Sequence, residues 1–126
     1  MRVPTQTRHE ATAAAEAMAL AARAGIPLDT MYDVVTNAAG NSWMFENRVP
    51  HILDGDDTPR SAVDIFVKDL ALVGDLAGAV AFPAPLAAQA LQLFVSARAQ
   101  GHGGVDDAFV IRAYQALSGI RLPGEG

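Results

Sequence analysis

Helical spacing broken at intervals by glycine and proline limits this chain's fold more than any other feature. Over residues 10–24, Ala11, Ala14, Ala15, Met18 and Ala22 recur on one face of an α-helix. The run stops at Gly25, with Pro27 just beyond. So many alanines on one stripe permit close backbone approach, as suits a helix clasped by others. A second helix over residues 27–39 opens with proline near N1, turns Leu28, Met31, Val35 and Ala38 or Ala39 inward, and ends at Gly40. A third, short helix begins near Ser42 and halts before Pro50, and residues 54–59 form a loop. Ser61 then caps a fourth helix, with Asp64 completing a Ser/Thr-x-x-Asp/Glu box. That helix runs to about Val80 and buries Phe66, Leu70, Val73, Ala77 and Val80. A fifth, after Pro83 and Pro85, buries Leu86, Ala90, Leu93, Phe94 and Ala97 until Gly101-His102-Gly103-Gly104 breaks it. The sixth starts around Asp106 and carries Val110, Ala113 and Leu117 to Gly119.

No stretch predicts a strand. The expected architecture is all-α: a six-helix bundle forming one domain over residues 11–119, with residues 1–10 in front and a frayed tail over 120–126. A length of 126 residues supports one core but not a dinucleotide fold beside a helical partner. A net charge of -5, with nine scattered Lys and Arg, excludes a nucleic-acid surface, which needs a clustered basic face. The absence of cysteine excludes a disulfide scaffold and a thiolate metal site. The first eight residues lack the apolar run of a signal peptide, and Glu10, Glu16 and Arg23 rule out a membrane span in the alanine-rich run. Cytoplasm is the expected compartment.

Two segments concentrate chemistry. In the fourth helix, Lys68 lies on the polar side one turn after Asp64, where acid before base at i,i+4 favours a surface ion pair. Asp69 falls inside the apolar arc near Leu70, Val73 and Leu76, where an unpaired carboxylate is costly. A helix N-terminus, an arginine such as Arg48 or Arg60, or a ligand must satisfy it. Earlier in the chain, Trp43 and Phe45 stand beside Asn41, Asn47 and Arg48, and Arg48 suits bidentate capture of a carboxylate, whether Asp69 or an acid ligand.

Other features carry less. Gly101, Gly103 and Gly104 lack a preceding strand and the G-x-G-x-x-G spacing, and Asp106-Asp107 would repel phosphate, so they terminate a helix. His9, His51 and His102 lie in separate segments without helical partners, so no metal site is expected. Asp54, Asp56 and Asp57 lack the glutamate that an EF-hand needs at its twelfth position, where Ile65 stands. No G-x-S-x-G nucleophile motif occurs.

From about Ala13 to Leu117 the chain resembles the C-terminal helical domain of the β-hydroxyacid dehydrogenases, relatives of 3-hydroxyisobutyrate and 6-phosphogluconate dehydrogenases. The likeness is greatest to the branch that includes L-threonate dehydrogenases. It is carried by Ala15-Glu16-Ala17-Met18 with Ala24-Gly25, by Gly40 through Arg48, by Asp56 to Ser61, by Val67-Lys68-Asp69-Leu70, and by Gly101-His102-Gly103 with Asp106-Asp107. The resemblance implies oxidation of a small 3-hydroxy acid with NAD or NADP, a separate Rossmann domain for the dinucleotide, and a helical domain that closes the cleft and forms much of the subunit interface. It implies that Lys68 contacts the cofactor, with Asp69, Arg48 and Asn41 at the substrate cleft. The family's catalytic lysine sits in a K-x-x-N-N segment that is absent here, as are the S-G-G segment and the dinucleotide fingerprint. Where many relatives carry phenylalanine eight residues before the motif aspartate, this chain has Ser61.

No catalytic residue is therefore assigned. The leading expectation is a cleft and dimerisation domain that is silent alone and binds no cofactor tightly by itself. The alternatives are a stand-alone helical module, pairing with itself or with a separately encoded cofactor domain, and an inactive remnant.

Overall fold

The computed structural model describes residues 5–125, and over them the chain is all-α, with six α-helices and no strand. The central helix, α1 (Thr5–Arg23), touches each of the other five. Its stripe of Ala11, Ala14, Ala15, Met18, Ala19 and Ala21 is buried, and the small side chains let its neighbours close in. It begins earlier than the residue pattern predicts: Thr5–His9 belong to it, whereas residues 1–4 of the segment set apart in front lie outside the described residues. At its end Gly25 takes the left-handed φ of 80° that glycine adopts freely.

The next helix, α2 (Leu28–Thr36), has no fully buried residue; Leu28, Met31, Tyr32 and Val35 rest partly covered against the core. Ser42 caps α3 (Trp43–Asp54) by accepting from the Phe45 N–H at 3.0 Å. Contrary to expectation, α3 runs through Pro50 to Asp54. Proline lacks the N–H that would bond the Glu46 carbonyl. The Tyr32 hydroxyl of α2 takes its place, donating to that carbonyl at 2.9 Å while its ring stacks on Phe45 with centroids 6.0 Å apart.

The longest apolar contact joins α4 (Val63–Ala79) and α5 (Pro85–Ala97), with Phe66 and Phe94 tilted against each other at 5.1 Å. Ser61 does not cap α4; Ala62 holds that position without a side-chain hydrogen bond. Val80 and Leu86, both expected inside, are 64% and 68% exposed. On α5, Ala90, Phe94 and Ala97 are buried as expected, but Ala87, one position after Leu86, is buried in its place. A π-turn, Arg98–His102, carries the break at Gly101 (φ 94°), and a 3-10 turn, Asp107–Val110, leads into α6 (Ile111–Ser118). Leu117 points outward at 76% exposure. The tail is not frayed: Ile120 and Leu122 are buried, and Glu125 accepts from Arg112 and Gln115 at 2.6 Å and from the Leu122 N–H at 3.0 Å. No helix among the described residues is long and apolar enough to cross a membrane.

Candidate functional site

The first two turns of α4 present Asp64 and Lys68 on an exposed face. The ion pair expected between them does not form. Asp64 instead meets Arg98 of the π-turn at 3.0 Å, and Lys68 has no described ion pair. Its ammonium is thus an uncommitted surface cation.

Asp69 does have an arginine partner, one of the expected kinds, but it is neither Arg48 nor Arg60. The Arg8 guanidinium in the first turns of α1 donates to the Asp69 carboxylate and lies 4.2 Å from the centroid of the Phe66 ring. Arg60 pairs at the surface with Asp56 at 3.2 Å. Arg48 turns inward, donating through Nε to Asp107 at 2.8 Å, with a second contact to Asn47 and its guanidinium carbon 5.7 Å from the Trp43 ring. Asn41 lies elsewhere. It lines an opening of about 440 Å³ with Glu10, Ala14, Val35, Ser42 and Phe45; its Oδ1 is buried without a hydrogen-bond partner. No described hydrogen bond or ion pair joins Lys68, Asp69, Arg48 and Asn41 to one another.

The strongest polar cluster is one that residue patterns missed: Asp106 and Asp107, both fully buried. Asp106 accepts through Oδ1 from the Arg60 N–H at 2.9 Å, while its Oδ2 faces His51 Nδ1 at 2.8 Å and the Ala108 N–H at 3.2 Å. Burial, opposed by the hydrogen bond from Arg48, pushes the Asp107 carboxyl up to about 6. The signal was available, since Asp107 abuts the apolar run Ala108-Phe109-Val110-Ile111, the same conflict that exposes Asp69.

A mostly apolar opening of about 520 Å³ lies where α4 turns into α5, lined by His9, Leu76, Val80, Phe82, Leu86 and Ala87 among others. None of the described openings is lined by Lys68. Lys68 is thus an exposed cation outside the described openings. Among the described residues no group of three or more His, Asp or Glu could hold a metal ion.

Against known proteins, residues 9–114 match the family described as NAD-binding of NADP-dependent 3-hydroxyisobutyrate dehydrogenase. L-threonate dehydrogenase of Escherichia coli (strain K12) is 69% identical over 112 residues, which is 89% of this chain and 36% of that protein. L-threonate dehydrogenase of Cupriavidus necator is 61% identical over 113 residues, 90% of this chain and 37% of that protein. The crystal structure of 3-hydroxyisobutyrate dehydrogenase from Salmonella typhimurium superposes with a TM-score of 0.84 at 67% identity, over 86% of this chain and 38% of that one. The Mycobacterium tuberculosis 3-hydroxyisobutyrate dehydrogenase with L-serine gives a TM-score of 0.74 at 28% identity, over 83% of this chain and 38% of that one. The chain spans little more than a third of the length of the relatives it matches.

Proposed function

We propose, from the premise that this chain belongs to the family of NAD-binding domains of NADP-dependent 3-hydroxyisobutyrate dehydrogenase, that it is the C-terminal cleft and docking domain of an L-threonate-type dehydrogenase. The observation that carries the reading is the 69% identity to L-threonate dehydrogenase over 112 residues, nearly the whole bundle. NAD or NADP, when bound to the whole enzyme, would supply the hydride acceptor for a small 3-hydroxy acid. Lys68 binds cofactor charge from the exposed face of α4. Asp69, held by Arg8, fixes the inner side of that helix. Asn41 presents its free Oδ1 toward the cleft, and Arg48 orders Trp43 beside it. These are binding and orienting roles, and no residue of the 126 acts as the proton-transferring group.

On their own, therefore, these residues are inactive and hold a dinucleotide weakly. Mixing the purified chain with NAD and L-threonate and following absorbance of the reduced cofactor tests this; turnover above a heat-killed control sinks it. A titration of NAD, with Lys68→Ala as comparison, tests the contact: equal binding by both chains removes Lys68 from the reading.

A second reading, an interaction module, is favoured by the exposed Leu72, Leu76, Val80, Phe82 and Leu86, which follow one another along the α4–α5 corner beside the apolar opening. Its partner is a second copy of the chain or a separately encoded cofactor domain. A clean monomer in sedimentation at high micromolar concentration counts against the homo-oligomer. Under both readings the proposed compartment is the cytoplasm.

A further inference from the structure

We propose that residues 103–107 position the Lys68 face of α4 and that Asp106 is the positioning residue; the role of that face rests on the cofactor contact proposed above. A helix starts with N–H groups that lack intrahelical partners, and a Ser, Thr, Asp or Asn at the cap ordinarily accepts from one of them. Ala62, at the cap of α4, has no such acceptor. The acceptors come from far along the chain. The Val63 N–H donates to the Val105 carbonyl and the Asp64 N–H to the Gly103 carbonyl, each at 2.9 Å. Beside them, Ala62 and Asp106 form an antiparallel bridge, and the Asp107 N–H donates to the Ser61 carbonyl at 2.7 Å.

Asp106 holds this cap in place. Its own N–H donates to the Asp57 carbonyl at 3.0 Å, and its carboxylate takes the Arg60 N–H, His51 of α3 and the Ala108 N–H. One fully buried carboxylate thus joins α3, the loop before α4 and the 3-10 turn where water cannot compete. The fit is close: a Cβ on Gly103 would stand 2.5 Å from Asp64 Oδ1. Lys68 follows Asp64 by one turn on the same face, about 6 Å along the axis. A first turn that opens or rotates therefore changes where Lys68 points.

The test uses the ¹⁵N-labelled chain, wild type, Asp106→Ala and Asp106→Asn. Asparagine keeps Oδ1 as acceptor for the Arg60 N–H; alanine removes it. Alanine is expected to speed amide exchange at Val63 and Asp64 about tenfold, while amides near Phe94 change little. Residual dipolar couplings of α4 should shift as a block against α5, and asparagine, which keeps the acceptor for the Arg60 N–H but loses that for the Ala108 N–H, should restore part of both. Unchanged exchange and an unchanged α4 orientation in the alanine chain overturn the proposal. So does equal acceleration everywhere, which would make Asp106 a general stabiliser. If alanine prevents folding, His51→Gln, which loosens Asp106 from α3, goes through the same measurements with smaller shifts of the same pattern expected. NAD titration of the wild type, read at the Lys68 amide, is separate: silence there sinks the cofactor contact, while exchange and orientation alone decide the positioning of α4.

Discussion

Ala81 ends α4 in a conformation that suits glycine. Its φ is 55°, the Phe82 N–H reaches back to the Ala77 carbonyl at 2.8 Å and the Ala81 N–H to the Gly78 carbonyl at 3.3 Å, a Schellman close. A side chain in that region costs about 1 kcal/mol, so Ala81→Gly should stabilise the chain by about 0.5–1 kcal/mol, read as a rise in thermal midpoint. Asp107 makes a pH-dependent prediction. Its carboxyl holds a proton up to about 6 in the folded chain, against an ordinary 3.8. Between those values the native state carries more protons than the unfolded one. The contribution of this group is therefore whole below 3.8 and is lost as pH rises through about 6. Measured by urea unfolding, the stability of wild type relative to Asp107→Asn should fall by up to about 3 kcal/mol from pH 4 to pH 7. A constant difference across that range would show that Asp107 does not titrate there.

Among the elements, α3 shows how far local pattern carries. Its start near Ser42 is where the pattern put it, with the hydroxyl as N-cap, but its end is the left-handed Gly55 at φ 65°, not the residue before Pro50. Pro50 misleads because the missing donor is replaced by Tyr32 of another helix, and residue spacing holds no trace of such a tertiary bond. Tyr32→Phe should cost about 0.5–1.5 kcal/mol with Pro50 present and less beside Pro50→Ala, whose N–H can serve the Glu46 carbonyl; a double-mutant cycle reads the difference. The other helices were legible from the glycines and prolines near their ends, although α2 stops at Thr36, short of Gly40; the alanine stripe of α1 was legible from its spacing, whereas the large Val80, Leu86 and Leu117 misled. On α5 the expected Ala90, Phe94 and Ala97 are buried, whereas Leu86 is exposed and Leu93 only partly covered, with Ala87 buried beside them. In the candidate site, the need of Asp69 for a partner was legible from its apolar neighbours. The identity of that partner was not, because the fold alone brings Arg8 across 61 residues.

At the scale of the whole molecule, the end of the chain belongs to the core. Ile120 and Leu122 are buried and Glu125 is tied to α6, so deleting residues 120–126 should cost about 2–5 kcal/mol and lower the thermal midpoint. An unchanged midpoint would show the tail to be dispensable. The cap of α4 also fixes an order of events. The carbonyls that receive the Val63 and Asp64 N–H groups come from Val105 and Gly103. A polypeptide emerging from the ribosome cannot close the start of α4 until those distant residues have followed it out. Loop closure must then precede that hydrogen bonding, which slows maturation and leaves the start of α4 open to misassociation until residues 103–105 have been made.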